Sequence, residues 1–259
     1  MNRAPHLLRD PKSFFDCVRR AKITRIQMGL MALSSIVCLS VYGFVMGLAH
    51  SPWQAVSSAI KLPALILGTG LLCLPALYLF SLVLGMRLHL SQAAALVLSG
   101  GNVIALLLMG FAPVTLIFVL TSRNYAFFQL LAVGSVGASV CVGSYYMWRG
   151  VDQVTLFERV PGNVRRGLMG LWFILYTFVG SQMAWRLSPF IGDPFQPFVW
   201  LQPSRDNLYM DVVHAFEQAS GVQLSLNGAA QPIWLGGLCL IPLVFLILGA
   251  GLISSVEEA

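Results

Sequence analysis

Residues 26–48 read IQMGLMALSSIVCLSVYGFVMGL and indicate the fold class. The stretch contains no Asp, Glu, Lys, Arg or His. A helix that crosses a hydrocarbon core about 30 Å thick needs about 20 mostly apolar residues, so this stretch is long enough to span a membrane. Five further stretches have the same character: 62–84, 91–120, 125–147, 167–185 and 232–254. We therefore predict an all-α, polytopic integral membrane protein with six transmembrane helices.

The composition supports this class. Of the 259 residues, 57% are apolar and only 10% are charged, whereas soluble domains carry about 25% charged residues. This deficit of charge excludes a soluble enzyme, a disordered segment and a disulfide-stapled secreted module. Four of the five cysteines lie inside the apolar stretches, where they act as small apolar side chains rather than as metal ligands.

The distribution of basic residues predicts the orientation. With the N-terminus in the cytoplasm, 12 basic residues fall on the inner side: Arg3, Arg9, Lys12, Arg19, Arg20, Lys22, Arg25, Arg87, Arg149, Arg159, Arg165 and Arg166. Only 4 fall on the outer side: Lys61, Arg123, Arg186 and Arg205. Because cytoplasmic loops are enriched in Lys and Arg, both termini are predicted to be cytoplasmic. Our leading hypothesis places the protein in a bacterial inner membrane.

Four regions follow from these spans. Residues 1–25 form a basic, amphipathic cytoplasmic segment, and residues 26–185 form a five-span bundle. Residues 186–231 form an outer, periplasmic loop, and residues 232–259 form the sixth transmembrane helix with an acidic cytoplasmic tail.

A short helix is predicted within the first region. Asp10 is an N-cap residue and Pro11 suits the first helical turn. Phe14, Phe15 and Val18 then follow at helical spacing among basic residues. We expect this helix to lie in the membrane interface with its aromatic rings toward the lipid. The alternative is a docking helix for a soluble partner.

The outer loop is the one sizeable segment predicted outside the bilayer. Its first part contains four prolines, which favour an extended path. Its second part predicts an amphipathic helix that begins after Ser204 and ends before Gly221. The loop either covers the bundle or forms a contact surface for another protein. The candidate contact residues are Phe190, Trp200, Leu208, Val212 and Phe216.

The spans carry no Asp, Glu, Lys, Arg or His in their predicted central turns. This counts against ion-coupled transporters and intramembrane metalloproteases, which need such groups at depth. Asp211, His214 and Glu217 share one face of the outer helix, and we interpret them as a solvated polar face. We expect no catalytic residue, no cofactor, no metal site and no nucleic-acid partner.

Small and amide side chains provide the remaining signals. Ser135, Ser139 and Gly143 are spaced by four residues, as are Gly134 and Ala138. Such stripes let helices approach closely, either inside the bundle or against a partner helix.

The amides of Asn102 and Gln129 either bond across helices or line a cavity for a neutral solute. The span 91–120 contains Ser-Gly-Gly-Asn at residues 99–102 and a proline at 113, and a break there would favour the cavity.

Two segments carry a family resemblance. The stretch LRDPKSFF at residues 8–15, just before the first span, resembles the start of bacterial Yip1-like multi-pass proteins. The stretch GMRLHLSQ at residues 85–92 and the FAP at residues 111–113 are also similar to them. The resemblance implies a non-enzymatic role in membrane organisation that is exerted through partners.

These observations together predict a non-enzymatic scaffold or a membrane-embedded subunit of a larger assembly. Its expected partners are the lipid bilayer and either a membrane protein or further copies of this chain. The alternative is a passive channel, or a carrier for a lipid or neutral solute, built around a broken third span. A third hypothesis is an interfacial enzyme that uses Asp193, Asp206 or His214, and the spacing of these residues does not favour it.

Overall fold

The computed structural model describes residues 11–20, 23–86, 88–121, 125–155, 161–187 and Trp200, and these residues form six α-helices and no strand. The helices are α1 (Pro11–Arg19), α2 (Arg25–Gly47), α3 (Pro52–Val83), α4 (Leu90–Thr121), α5 (Tyr125–Val154) and α6 (Gly162–Leu187). The predicted all-helical class is therefore confirmed for this part of the chain.

Four helices are long and apolar enough to cross a membrane: α2, α3, α4 and the Gly162–Ala184 part of α6. By length and composition they mark the chain as a membrane protein. Most of the predicted outer loop and the whole predicted span 232–254 lie outside the described residues.

The start of α3 corrects one predicted boundary. The second span was expected to begin at residue 62, but the helix begins at Pro52. Ser51 is its N-cap, and its Oγ accepts a hydrogen bond from the backbone N–H of Gln54 at 3.2 Å. Lys61, which the orientation argument placed outside the spans, therefore lies in the third turn of α3, where only 2% of it is exposed.

The third predicted span is not broken. Helix α4 continues through residues 99–102 and through Pro113. Ser99 Oγ donates to the carbonyl of Leu96 at 2.7 Å, so this hydroxyl is satisfied within the helix. The two glycines that follow are positions where neighbouring helices come close, not positions where the helix ends. A function that requires a broken third span therefore loses its structural premise.

Helix α4 lies at the centre of the bundle. It packs along α2 and α5 and more lightly against α3, while α3 also packs along α2 and α6. Helices α5 and α6 are neighbours in sequence but barely touch each other.

Helix α1 closes one end of the bundle, and this corrects the expectation that its rings face lipid. Phe14, Phe15 and Val18 are all buried. The Phe15 ring lies against Gly150 near the end of α5, where any larger residue would collide with it. We call the end of the bundle at which α1, the start of α4 and the end of α5 meet the α1 end. The aromatic residues therefore stabilise the bundle itself rather than anchoring the chain in the bilayer.

Candidate functional site

A partly open cavity of about 280 Å³ lies among five of the helices. Its wall includes Gly100 on α4, Gly143, Ser144 and Met147 on α5, and Trp172 on α6, together with residues of α2 and α3. The residues that α4 and α5 contribute come from the halves of these helices nearer the α1 end. The cavity therefore lies inside the bundle, toward the end that α1 closes.

The wall of the cavity is almost entirely apolar. Trp172 and Tyr176 on α6 carry polar groups, but both groups already donate hydrogen bonds to backbone carbonyls of α3. Trp172 Nε1 lies 2.9 Å from the carbonyl oxygen of Cys73, and Tyr176 Oη lies 3.2 Å from that of Ile66. These bonds hold α6 on α3. Besides Trp172 and Tyr176, Ser144 is the polar side chain among the described residues of the wall. The cavity is therefore suited to an apolar occupant.

Glycines allow the helices around the cavity to approach closely. A Cβ atom placed on Gly143 would collide with Ile104 and would lie 3.0 Å from the carbonyl oxygen of Gly100. At this point α5 is in contact with the backbone of α4. Gly143, one of the predicted packing residues, thus faces the inside of the bundle.

The other two residues of that predicted stripe also lie inside. Ser139 is fully buried, and its Oγ donates to the carbonyl of Ser135 at 2.7 Å. Ser135 is 5% exposed, and its Oγ lies 2.5 Å from the hydroxyl of Tyr42 on α2. The structure therefore brings Ser135, Ser139 and Gly143 together on the inward face of α5.

The outward side of α5 carries a second set of small residues. Gly134, Gly137, Ala138 and Cys141 are exposed. No described residue outside α5 lies within 4 Å of a Cβ atom placed on Gly134 or Gly137. We call these four residues the open face of α5. Because it lacks large side chains, another helix could approach its backbone closely.

Asn102 bonds across helices and does not line the cavity. Its Nδ2 lies 2.7 Å from Ser34 Oγ, 2.9 Å from Ser35 Oγ and 3.1 Å from the carbonyl of Met31, all on α2. Of the two roles proposed for this amide, the structure shows the hydrogen bonding between helices. Gln129 belongs to α5, and its side chain lies outside the described part of the chain.

A Gly-x-x-x-Gly pair on α2 is a packing site that the sequence analysis did not identify. A Cβ on Gly43 would collide with the carbonyl of Ser58, and one on Gly47 would lie 2.5 Å from Ala55 Cα. Here α2 and α3 meet backbone to backbone. The spacing itself was the available signal, because two glycines four apart in an apolar helix are typical of close helix contacts.

A buried polar stripe on α3 is a second feature that the sequence analysis missed. Its members lie on neighbouring turns, and at most 2% of any of them is exposed: Gln54, Ser57, Ser58 and Lys61. Gln54 Nε2 donates to Ser58 Oγ at 3.5 Å. An ionisable group buried in a candidate membrane span is costly and is found mostly where function or a partner group retains it. The available signal was the recurrence of polar residues three and four apart after the Ser-Pro cap.

Trp200 is the one predicted loop contact residue that the structure describes. It is 46% exposed, and its ring centre lies 5.9 Å from Lys61 Nζ, within the range of a cation–π interaction. The other predicted contact residues, Phe190, Leu208, Val212 and Phe216, lie outside the described residues. The residues of the enzyme hypothesis also lie outside the described part of the chain: Asp193, Asp206 and His214.

Gln92 at the start of α4 holds α1 in place. Its Oε1 accepts from the backbone N–H of His89 at 2.8 Å, which caps α4. Its Nε2 donates to the carbonyls of Val18 at 3.3 Å and Arg19 at 2.9 Å, at the C-terminal end of α1. One side chain therefore satisfies the ends of two helices.

Among the described residues, no group of three or more His, Cys, Asp or Glu side chains is arranged to hold a metal ion. No family model, curated protein or solved structure matches this chain.

Proposed function

We propose that the protein is a non-enzymatic membrane-embedded scaffold, or a subunit of a larger membrane protein assembly. The observation that carries the proposal is the open face of α5. A helix that turns glycine, alanine and cysteine outward forms little van der Waals contact with flexible lipid chains, whereas a second helix can pack closely against it. The partner is therefore an apolar transmembrane helix, from another membrane protein or from a second copy of this chain.

Two further features support this role. The inward face of α5 is fully used for packing on α4 and α2, so the outward face is available without rearranging the bundle. The resemblance to Yip1-like proteins, which remains a prediction, also implies action through partners. In this proposal the protein lies in a bacterial inner membrane with both termini in the cytoplasm.

The test is the native mass of the protein after mild detergent extraction from its source membrane, with the co-purifying proteins quantified. We expect a particle that contains a stoichiometric partner, or a defined homo-oligomer. Gly134→Leu and Ala138→Leu should release the partner, because leucine on the open face separates the two helices. Gly110→Leu is the matched control, since Gly110 is exposed on α4 and a Cβ there also meets nothing within 4 Å.

A monomer in the wild-type preparation would refute the proposal. So would an assembly that survives both leucine substitutions on the open face.

The cavity favours a second candidate, a carrier for a lipid. Its apolar wall argues for a hydrocarbon cargo rather than a neutral polar solute. Movement of a fluorescent phospholipid between the leaflets of a liposome tests this function. Cavity-filling Ala94→Leu with Ser144→Leu should abolish the movement, and Gly110→Leu should leave it unchanged. Liposomes without protein set the background rate, and wild-type protein that does not exceed this rate would exclude the carrier.

A further inference from the structure

The cavity among α2–α6 has the properties of a binding site for hydrocarbon. It is nearly twice as large as the apolar cavity of about 150 Å³ that suffices to bind a benzene molecule. None of the described residues on its wall is charged. The hydroxyl of Tyr176 and the indole N–H of Trp172 are both engaged by α3. A polar ligand would therefore lose its hydration without gaining matching hydrogen bonds.

The surroundings of the cavity identify the source of the occupant. Leu71 belongs to the wall and is 70% exposed, so the wall continues onto the outer apolar surface of α3. This surface belongs to a helix long and apolar enough to cross a membrane. The molecules that meet it in the bilayer are lipid acyl chains. An empty cavity of this size would deprive the side chains around it of their dispersion contacts, and an inserted chain restores them.

We infer that this cavity binds the acyl chain of a membrane lipid. The small residues on the wall, Ala94, Gly100, Gly101 and Ser144, provide the width that a hydrocarbon chain needs. Trp172 belongs to the wall, and only 2% of it is exposed. The inference depends neither on the assembly nor on the carrier function proposed above, because a lipid can be held permanently.

The experiment uses phosphatidylcholine with brominated acyl chains, because bromine quenches tryptophan fluorescence at short range. A full-length variant that keeps Trp172 and carries Phe at the other five tryptophan positions is reconstituted into brominated and into ordinary vesicles. We expect a clear loss of Trp172 emission in the brominated vesicles. Ala94→Leu with Ser144→Leu should restore the emission, whereas Gly110→Leu should not.

A second measurement avoids the tryptophan substitutions. The phospholipid retained per chain after extensive washing in detergent should fall by one molecule when Ala94 and Ser144 are both replaced by leucine, and should not change in Gly110→Leu. Emission that is unquenched in the wild-type cavity overturns the inference, and so does quenching that persists after the cavity is filled. Unquenched emission of Trp172 would also arise if residues 232–254 of the chain itself occupied the cavity. Neither the quenching nor the amount of retained phospholipid depends on the native mass of the particle, so this inference and the assembly proposal can fail independently.

Discussion

Asn102 on α4 donates a hydrogen bond to Ser35 on α2, with 2.9 Å between Nδ2 and Oγ, and both residues are buried. Ser35 Oγ in turn donates to the carbonyl of Met31 at 2.8 Å. This chain of bonds fixes the position of α2 along α4. In an apolar environment the amide has no water to replace these partners, so the bonds select one register of the two helices.

Replacing Asn102 by leucine should therefore destabilise the bundle. Bonds of this kind between membrane helices each contribute about 0.6 kcal/mol and at most about 1.7 kcal/mol, so we expect a loss of about 1–2 kcal/mol. The measurement is reversible unfolding in detergent. Ser34→Ala, at an exposed position of the same cluster, should cost less. If Asn102→Leu kept full stability, the amide would not have this structural role.

Gly143→Ala tests the contact between α5 and α4. The added methyl group collides with Ile104 and approaches the backbone of Gly100, so we expect a loss of about 1–3 kcal/mol from overpacking. Gly134→Ala lies on the same helix with open space around it and should leave stability unchanged or slightly higher. Equal stability of the two variants would show that the helices are farther apart than the structure places them.

Gly43→Ala tests the contact between α2 and α3 in the same way. Here the new Cβ meets the backbone carbonyl of Ser58, which cannot move aside as a side chain does. We expect a loss of about 1–3 kcal/mol in unfolding experiments. Gly29→Ala on the same helix is the control, because nothing lies within 4 Å of its Cβ. Because alanine is the better helix former at both positions, a Gly43→Ala variant as stable as Gly29→Ala would contradict the close contact between α2 and α3.

Gln92→Glu should release α1 from the bundle. The side chain keeps its shape and its acceptor oxygen, but it loses the N–H groups that bond to Val18 and Arg19 and places a negative charge against their carbonyls. Faster hydrogen exchange in α1, with little change elsewhere, is the expected result. Ser91→Ala, at an exposed neighbouring position, should exchange like the wild type. Unchanged protection of α1 in Gln92→Glu would show that Phe14 and Phe15 hold the helix without the amide.

Ser57→Ala should stabilise the protein. Ser57 is fully buried, and its Oγ has no hydrogen-bond partner within the described part of the chain. A buried hydroxyl in this state costs about 1–3 kcal/mol, so its removal should raise the unfolding free energy by about 1 kcal/mol. Ser35→Ala, which breaks a satisfied bond, should have the opposite effect. Destabilisation by Ser57→Ala would reveal a partner for this hydroxyl.

The helical fold class and most helix boundaries were predictable from local sequence. Five of the predicted spans fall on helices of the structure, and four of these helices are long and apolar enough to cross a membrane. A run of about 20 apolar residues is a property of the chain itself and needs no contact partner to be recognised. The start of α3 escaped prediction because polar residues on its first turns dilute the apolar pattern, although Ser51 and Pro52 marked the helix start. The supposed break in α4 came from treating glycines as helix breakers, when in this bundle they are contact points.

Local sequence is enough to recognise the four helices that are long and apolar enough to cross a membrane. The orientation predicted from the basic residues also rests on local sequence alone. Which face of each helix is buried was decided by the tertiary structure. Asn102 has its partners 67 to 71 residues away, and the two stripes of small residues on α5 have the same spacing although one faces inward and the other outward. Since these helices have no pronounced apolar side, hydrophobicity does not distinguish their faces. Shape and hydrogen bonding between distant segments distinguish them, and these exist only once the helices have packed.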